Sequence, residues 1–168
     1  MPRQSPVAAE GVYCAPLPVL SIAELDGPPV PVAPNCHQAV GTEVARAALD
    51  AARCVTGYGA ATGSCGGWST ASGVYRAVGR PIAGKSGTTD DNRAAWFIGM
   101  TPGLTAAGFI GDPDYPFHAI GTANHDKPRE SVSLMLREAL AGTPLRGFTP
   151  PAPALVGKAG KPTPKKFR

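Results

Sequence analysis

Lys85-Ser86-Gly87-Thr88 places a cation, two hydroxyls and a glycine in four consecutive residues. On a strand at the edge of a sheet, such a quartet can hold a carboxylate. The ammonium attracts it, the hydroxyls hydrogen-bond to it, and the glycine lets a substrate backbone come close. The same lysine also belongs to a second pattern. Gly79 to Ser86 reads G-R-P-I-A-G-K-S, which fits the phosphate-loop pattern G-x-x-x-x-G-K-[ST]. That loop works where a buried strand precedes it and a helix begins at its lysine, because the phosphates rest on N–H groups at the helix start. Here ASGVYRAV is short and mixed, and Pro81 removes one N–H from the cradle. Gly87-Thr88-Thr89-Asp90-Asp91-Asn92 is a poor helix start. Nucleotide binding through Gly79 to Ser86 is therefore the alternative, and the carboxylate-holding strand leads.

Other reactive groups are sparse. Cys14, Cys36, Cys54 and Cys65 contain no C-x-x-C, and His37, His118 and His125 stand outside any ligand pattern, so no metal site and no cofactor is expected. A Ser-His-Asp triad through His118 or His125 has no supporting motif. An even cysteine number suits disulfides, with three possible connectivities. Nearest neighbours, Cys14–Cys36 and Cys54–Cys65, are the expected pairs. The first would close a Pro-rich stretch and the second the Gly-rich VTGYGAATGS. Closing a loop of about a dozen residues is worth roughly 3 kcal/mol in the chain-entropy model. Oxidised pairs favour an extracytoplasmic location over four reduced thiols in a cytosol.

The elements that must position the quartet emerge from periodicity and turns. Residues 11–32 read as two short proline-bearing edge strands with a hairpin signal at Asp26-Gly27. Residues 42–55, TEVARAALDAARCV, read as a helix capped by Thr42. Val44, Ala48, Ala51, Ala52 and Val55 lie on one face of it, and Gly57 and Gly59 stop it. A loop is expected from there to about Ala77. GRPIAGKSGTT, AAWFIGMT and LTAAGFIGD then read as three neighbouring antiparallel strands, the last two joined by the turn Pro102-Gly103. Trp96 and Phe97 are both expected in the core. Residues 129–141 read as a final helix with Val132, Leu136, Ala139 and Leu140 on its apolar face, ended by Gly142 and Pro144. The fold class expected is α+β, a partial antiparallel sheet flanked by helices.

Composition bounds the rest. The chain has 168 residues, enough for one modest core, with 21 glycines and 19 prolines that demand long stretches of turn and loop. No apolar run is long enough to span a membrane. Met1 to Glu10 lacks the charged start and apolar block of a signal peptide, so an export signal or membrane anchor is not expected in this chain. Residues 1–142 hold ten Lys and Arg against all twelve Asp and Glu, a net of −2. Residues 143–168 hold six Lys and Arg and no acid, a net of +6. The division expected is a folded portion at 1–142 and a Pro/Lys-rich disordered tail at 143–168. The tail reads as solvated. Contact with an anionic wall polymer or lipid headgroup is the sharper alternative, and nothing in it specifies a nucleic acid.

A family resemblance sharpens this picture. K-[ST]-G is the element that β-lactamases and penicillin-binding proteins carry beside S-x-x-K and S-D-N. AGKSGTTDDNRAAWFIGMTPGLTAAGFIGDP resembles the K-T-G-T-T…D-A-W-F-x-G-x-T-P-x-L…V-G segment of class A penicillin-binding proteins, the two-domain peptidoglycan synthases. SLMLREALAGTPLRGF resembles their terminal helix and exit. GVYCAPLPVLSI…PNCHQAV resembles the segment after the S-x-N motif in actinobacterial members, cysteines included. The resemblance covers about residues 10–150. It implies a D,D-transpeptidase on the cell-wall side of the membrane. A serine attacks the penultimate D-Ala carbonyl of a peptidoglycan stem peptide, D-Ala leaves, and an amine resolves the acyl-enzyme. β-Lactams acylate the same serine. On the matching positions, Lys85 would place charge near the serine, and Ser86 and Thr88 would bind the carboxylate beside Gly87. The Thr88 N–H would stabilise the oxyanion.

One departure from the family is severe. None of the serines has a lysine three residues later or an asparagine two later, so S-x-x-K and S-x-N are both missing. The expectation is a portion of a longer domain without its nucleophile half, inactive alone unless a partner supplies that half. A non-catalytic wall-interaction remnant is the remaining alternative.

Overall fold

A computed structural model describes residues 5–19, 21–23, 27–28, 30–60, 65 and 69–155 of the chain. In chain order the elements are strands β1 (Val12–Cys14) and β2 (Cys36–Gln38), helices α1 (Thr42–Val55) and α2 (Val74–Val78), strands β3 (Ala83–Thr88), β4 (Ala94–Met100) and β5 (Thr105–Gly111), and helix α3 (Lys127–Ala139). The class is α+β, as expected. β3, β4 and β5 form the expected antiparallel meander, with β4 in the middle. Thr101 makes the turn between β4 and β5, its hydroxyl bonding both the Leu104 carbonyl at 2.8 Å and the Leu104 N–H at 3.0 Å.

Alternation along β4 builds the main core. Phe97 is fully buried between Ser86 of β3 and Gly108 of β5 in the register, and it packs with Val132 and Leu136 of α3 and Val74 and Val78 of α2. Gly99 and Gly108 let α3 lie close to the sheet. A Cβ on Gly99 would stand 2.9 Å from Val132 Cγ1, and one on Gly108 would stand 2.8 Å from the Pro128 carbonyl oxygen. A smaller cluster on the other face joins Ala83 and Met100 of the sheet to Leu49 of α1 and Ala8, with Phe148 against it.

Six expectations need correction. Trp96 is not core: it is 46% exposed and pairs with Phe109, ring centroids 4.4 Å apart. It alternates with Phe97 and so faces away from α3. Helix α1 has the expected bounds, but it buries Ala45, Leu49, Asp50 and Arg53 and leaves Val44 exposed. Its alanines populate both faces, so spacing alone does not select one, and a buried Asp50–Arg53 pair at 2.9 Å helps fill the face that packs. Gly41, not Thr42, is its N-cap. Helix α2 falls inside the expected loop, because five residues between two glycines give little periodicity. On α3, Ala139 is exposed while Ser133 is buried. The hairpin expected at 11–32 is reduced to one bridge, Ile22 with Val30, because β1 pairs instead with β2. Asp26 lies outside the described residues.

The cysteines pair as expected. Cys14–Cys36 ties β1 to β2, with Cα atoms 4.0 Å apart. Cys54–Cys65 ties the end of α1 to the loop after it, with Cα atoms 5.4 Å apart. Residues 143–155 run along the body of the protein. Phe148 contacts the Leu49 cluster, and the Ala152 N–H donates to the Glu43 carboxylate at 2.6 Å.

Candidate functional site

The quartet Lys85 to Thr88 forms the second half of β3, which is an edge strand of its sheet among the described residues. An edge strand keeps alternate N–H and C=O groups free on its outer side, which an incoming peptide can use. Lys85 is exposed and Ser86 and Gly87 are half-buried, while Thr88 is exposed at the strand end. Alternation puts Lys85 and Gly87 on the face with Ile98 and Trp96, and Ser86 and Thr88 on the face with Phe97 and Ala95.

Lys85 and Ser86 make local hydrogen bonds. The Lys85 ammonium donates to the Ser86 carbonyl. The Ser86 hydroxyl donates to Thr70 Oγ1 at 2.8 Å. The Thr70 carbonyl accepts from the Arg129 guanidinium, and Arg129 is paired with Asp126. Thr70, Asp126 and Arg129 line a cleft of about 670 Å³ between α2 and α3 that also holds Ser133 and Arg137. Residue spacing does not single out Thr70 or Arg129. Thr70 is sixteen residues from Ser86 and Arg129 fifty-nine from Thr70, and no motif couples such positions.

Past the quartet the chain turns tightly. Thr89 exchanges hydrogen bonds with Ala94, its N–H to the Ala94 carbonyl at 3.1 Å and its hydroxyl accepting the Ala94 N–H at 2.8 Å. Asp91 and Asn92 between them take φ of 55°. The setting that a phosphate loop needs is not present. Gly79 closes α2 in a left-handed conformation, and residues 83–88 continue as strand rather than opening a helix. His118 Nδ1 lies 3.0 Å from the Asp112 carboxylate, and no serine bonds to it among the described residues. That contact, then the Tyr115 N–H, holds the Asp112 carboxyl below its ordinary range. Among the described residues no cluster of His, Cys, Asp or Glu could hold a metal, and no helix is long and apolar enough to cross a membrane.

Comparison with known proteins gives several sequence relatives of one name. Penicillin-binding protein 1A of Neisseria lactamica is 39% identical over 83 residues, which is 48% of this chain and 10% of that protein. This chain is similar in sequence to part of penicillin-binding protein 1A. The protein of the same name from Mycolicibacterium smegmatis is 33% identical over 111 residues, 57% of this chain and 13% of that one. That from Neisseria gonorrhoeae is 56% identical over 36 residues. The matches span 4% to 13% of the length of these relatives. The crystal structure of penicillin-binding protein 1A from Haemophilus influenzae superposes with a TM-score of 0.49 at 23% identity, covering 68% of this chain and 17% of that one. No family model matches. The resemblance to the transpeptidase region of class A penicillin-binding proteins stands on these sequence relatives.

Proposed function

We propose that this chain is the KSG-bearing, C-terminal portion of a peptidoglycan D,D-transpeptidase domain, and that it is inactive without polypeptide that supplies the nucleophilic serine. The observation that carries the reading is the quartet Lys85 to Thr88 on a strand that is an edge among the described residues, in a chain similar in sequence to part of penicillin-binding protein 1A. In this reading residues 1–142 are the transpeptidase portion and residues 143–168 a basic extension. The substrate is a stem peptide on the cell-wall side of the membrane, and β-lactams are its mimics.

Each residue then has a role. Lys85 supplies positive charge to the serine and to the substrate carboxylate. Ser86 and Thr88 hydrogen-bond to that carboxylate, with Thr70 and Arg129 holding the Ser86 hydroxyl in place. Gly87 leaves room for substrate backbone. The Thr88 N–H donates to the oxyanion as charge develops on the carbonyl oxygen.

Fluorescent penicillin and a denaturing gel test the reading. The chain alone is expected to give no boiling-resistant band, because none of its serines has the activating lysine three residues later. A stoichiometric band on this chain alone would overturn the claim. With the missing half supplied, Lys85→Ala is expected to slow acylation roughly a hundredfold to a thousandfold. Ser86→Thr is expected to be nearly neutral, since either hydroxyl fits the motif.

A further inference from the structure

The two disulfides stand in different relations to the quartet. Cys14–Cys36 joins β1 to β2, and neither strand hydrogen-bonds to the quartet or to Thr70 among the described residues. Cys54–Cys65 is fastened to the last turn of α1, and the segment that carries Thr70 is docked on that same turn. The Val55 carbonyl accepts the Ser69 hydroxyl and, at 3.0 Å, the Ala71 N–H. The Thr56 carbonyl accepts the Tyr75 N–H at 3.0 Å. A Cβ on Gly57 would stand 2.4 Å from the Ser72 carbonyl oxygen, so the two backbones lie against each other. Thr70 sits between the Ser69 and Ala71 anchors and meets the Ser86 hydroxyl at 2.8 Å. A continuous path therefore runs from the bridge, through the end of α1 and Thr70, to the quartet.

We infer that the Cys54–Cys65 disulfide is a redox clamp on the hydroxyl of Ser86. Oxidised, it keeps Thr70 against Ser86; reduced, it releases Thr70 and weakens the hold on a substrate carboxylate. The inference rests on the reading under Proposed function for the ligand, and adds the regulation of that site. Thr70 is a positioning residue that acts through Ser86. Hydroxyl hydrogens turn freely, so Thr70 can donate to Ser86 while Ser86 gives its own proton to a carboxylate. Without Thr70 the Ser86 oxygen is free to take other staggered positions. The hydrogen bonds alone hold Thr70 weakly, because it is exposed and water competes for each of them. The bridge closes a span of eleven residues that ends just before Ser69, which limits how far the docked segment can leave α1.

The chemistry of release is thiol–disulfide exchange with a dithiol reductant. Cys65 is exposed and Cys54 half-buried, so the reductant's thiolate attacks the Cys65 sulfur. Cys54 leaves as a thiolate and takes up a proton. The reductant's second thiolate then displaces Cys65, which is protonated in turn. Two electrons and two protons pass from the dithiol to the bridge, leaving two protein thiols and an oxidised reductant.

The test uses the full 168-residue chain before and after dithiothreitol. It reads amide exchange at Ala71 and Tyr75 and the magnetic resonance signals of Ser86. Exchange at both amides is expected to rise at least about tenfold while the amides of β4 keep their protection. The Ser86 signals are expected to move. Cys65→Ser should reproduce both changes without reductant, and the Cys14→Ser, Cys36→Ser double variant should show neither. Reduction of that double variant opens the Cys54–Cys65 bridge alone, and serves where Cys65→Ser does not fold. Thr70→Val should move Ser86 in the same way and leave reduction nothing further to change there. Thr70→Ser should restore the oxidised signals.

Ser86 signals indifferent to reduction overturn the inference, as does a response that persists in Thr70→Val. Loss of β4 protection together with that of Ala71 also overturns it, since the bridge would then serve the fold rather than the site. Fluorescent penicillin, applied to the domain completed with its missing half, reads the function separately. Reduction is expected to slow acylation about tenfold. A completed domain that never labels sinks the transpeptidase reading and leaves the clamp on Ser86 in place. Labelling at an unchanged rate while Ser86 is displaced does the reverse.

Discussion

The two faces of the β3–β5 sheet are made by alternate residues of the same three strands. Under α3, Phe97, Val132 and Leu136 are fully buried, and two glycines narrow the gap between helix and sheet. On the other side Trp96, Ile98 and Phe109, no less apolar, remain 40–55% exposed. Both faces are therefore hydrophobic, while among the described residues only the one under α3 is fully packed. A surface face that serves folding alone would carry polar residues at those positions. The contrast separates residues that hold the chain together from apolar residues left exposed.

The largest expected effect sets neighbours in β4 against each other. Phe97→Ala should cost about 3–5 kcal/mol, since a fully buried ring leaves a cavity under α3. Trp96→Ala should cost well under half as much, because its ring already meets water. Denaturant unfolding of the two variants checks the ordering, and equal losses would erase the distinction between the faces.

Glycine substitutions sharpen the same contrast at smaller scale. Gly99→Ala puts a methyl 2.9 Å from Val132 Cγ1 and 3.1 Å from Leu136 Cδ1, and overpacking of that kind costs about 1–3 kcal/mol. Gly87→Ala on the open face meets only the Trp96 Cβ, at 3.6 Å, an ordinary contact. It should be close to neutral in melting temperature while obstructing substrate backbone in the completed domain.

Lys85→Ala comes next. Surface substitutions usually fall within about 0.5 kcal/mol, so the exposed lysine should scarcely alter stability, whatever it does to acylation. A large drop in melting temperature would reassign Lys85 to folding.

The smallest effect lies just beyond β5. The Asp112 carboxyl is held below its ordinary value of 3.8 by the His118 ring and by the Tyr115 N–H. A depressed carboxyl contributes stability above its unfolded value and loses it as the pH falls through the folded one. The turn at 112–118 should therefore open only as the pH drops below that ordinary value, and Asp112→Asn should remove the transition. An acid titration monitored at the Tyr115 amide reads it. A transition that persists in Asp112→Asn would show that the carboxyl does not control the turn.

Much of this architecture is legible in the order of residues. The meander comes from extended runs separated by Pro102-Gly103, and α1 and α3 from apolar spacing with glycine stops. Both cysteine pairs come from proximity along the chain. The KSG quartet belongs on a strand because Gly87 to Asn92 cannot start a helix. Less accessible is anything that depends on a second element. The Thr70–Arg129 support of Ser86 joins residues far apart in the chain, and α2 is too short for a periodic signal.

By itself, the amino-acid sequence determined α1, α3, the three-stranded meander and the motif, since these depend on residue type, order and short spacing. It also determined that no serine here carries the activating lysine. Only the tertiary structure decided that Phe97 is buried and Trp96 exposed, that α1 turns Leu49 rather than Val44 to the sheet, and that Lys85 stands beside an open apolar half-face. Burial is not a property of a side chain alone. It is set by what packs against that side chain, and α3 packs against one face of this sheet while half of the other meets water.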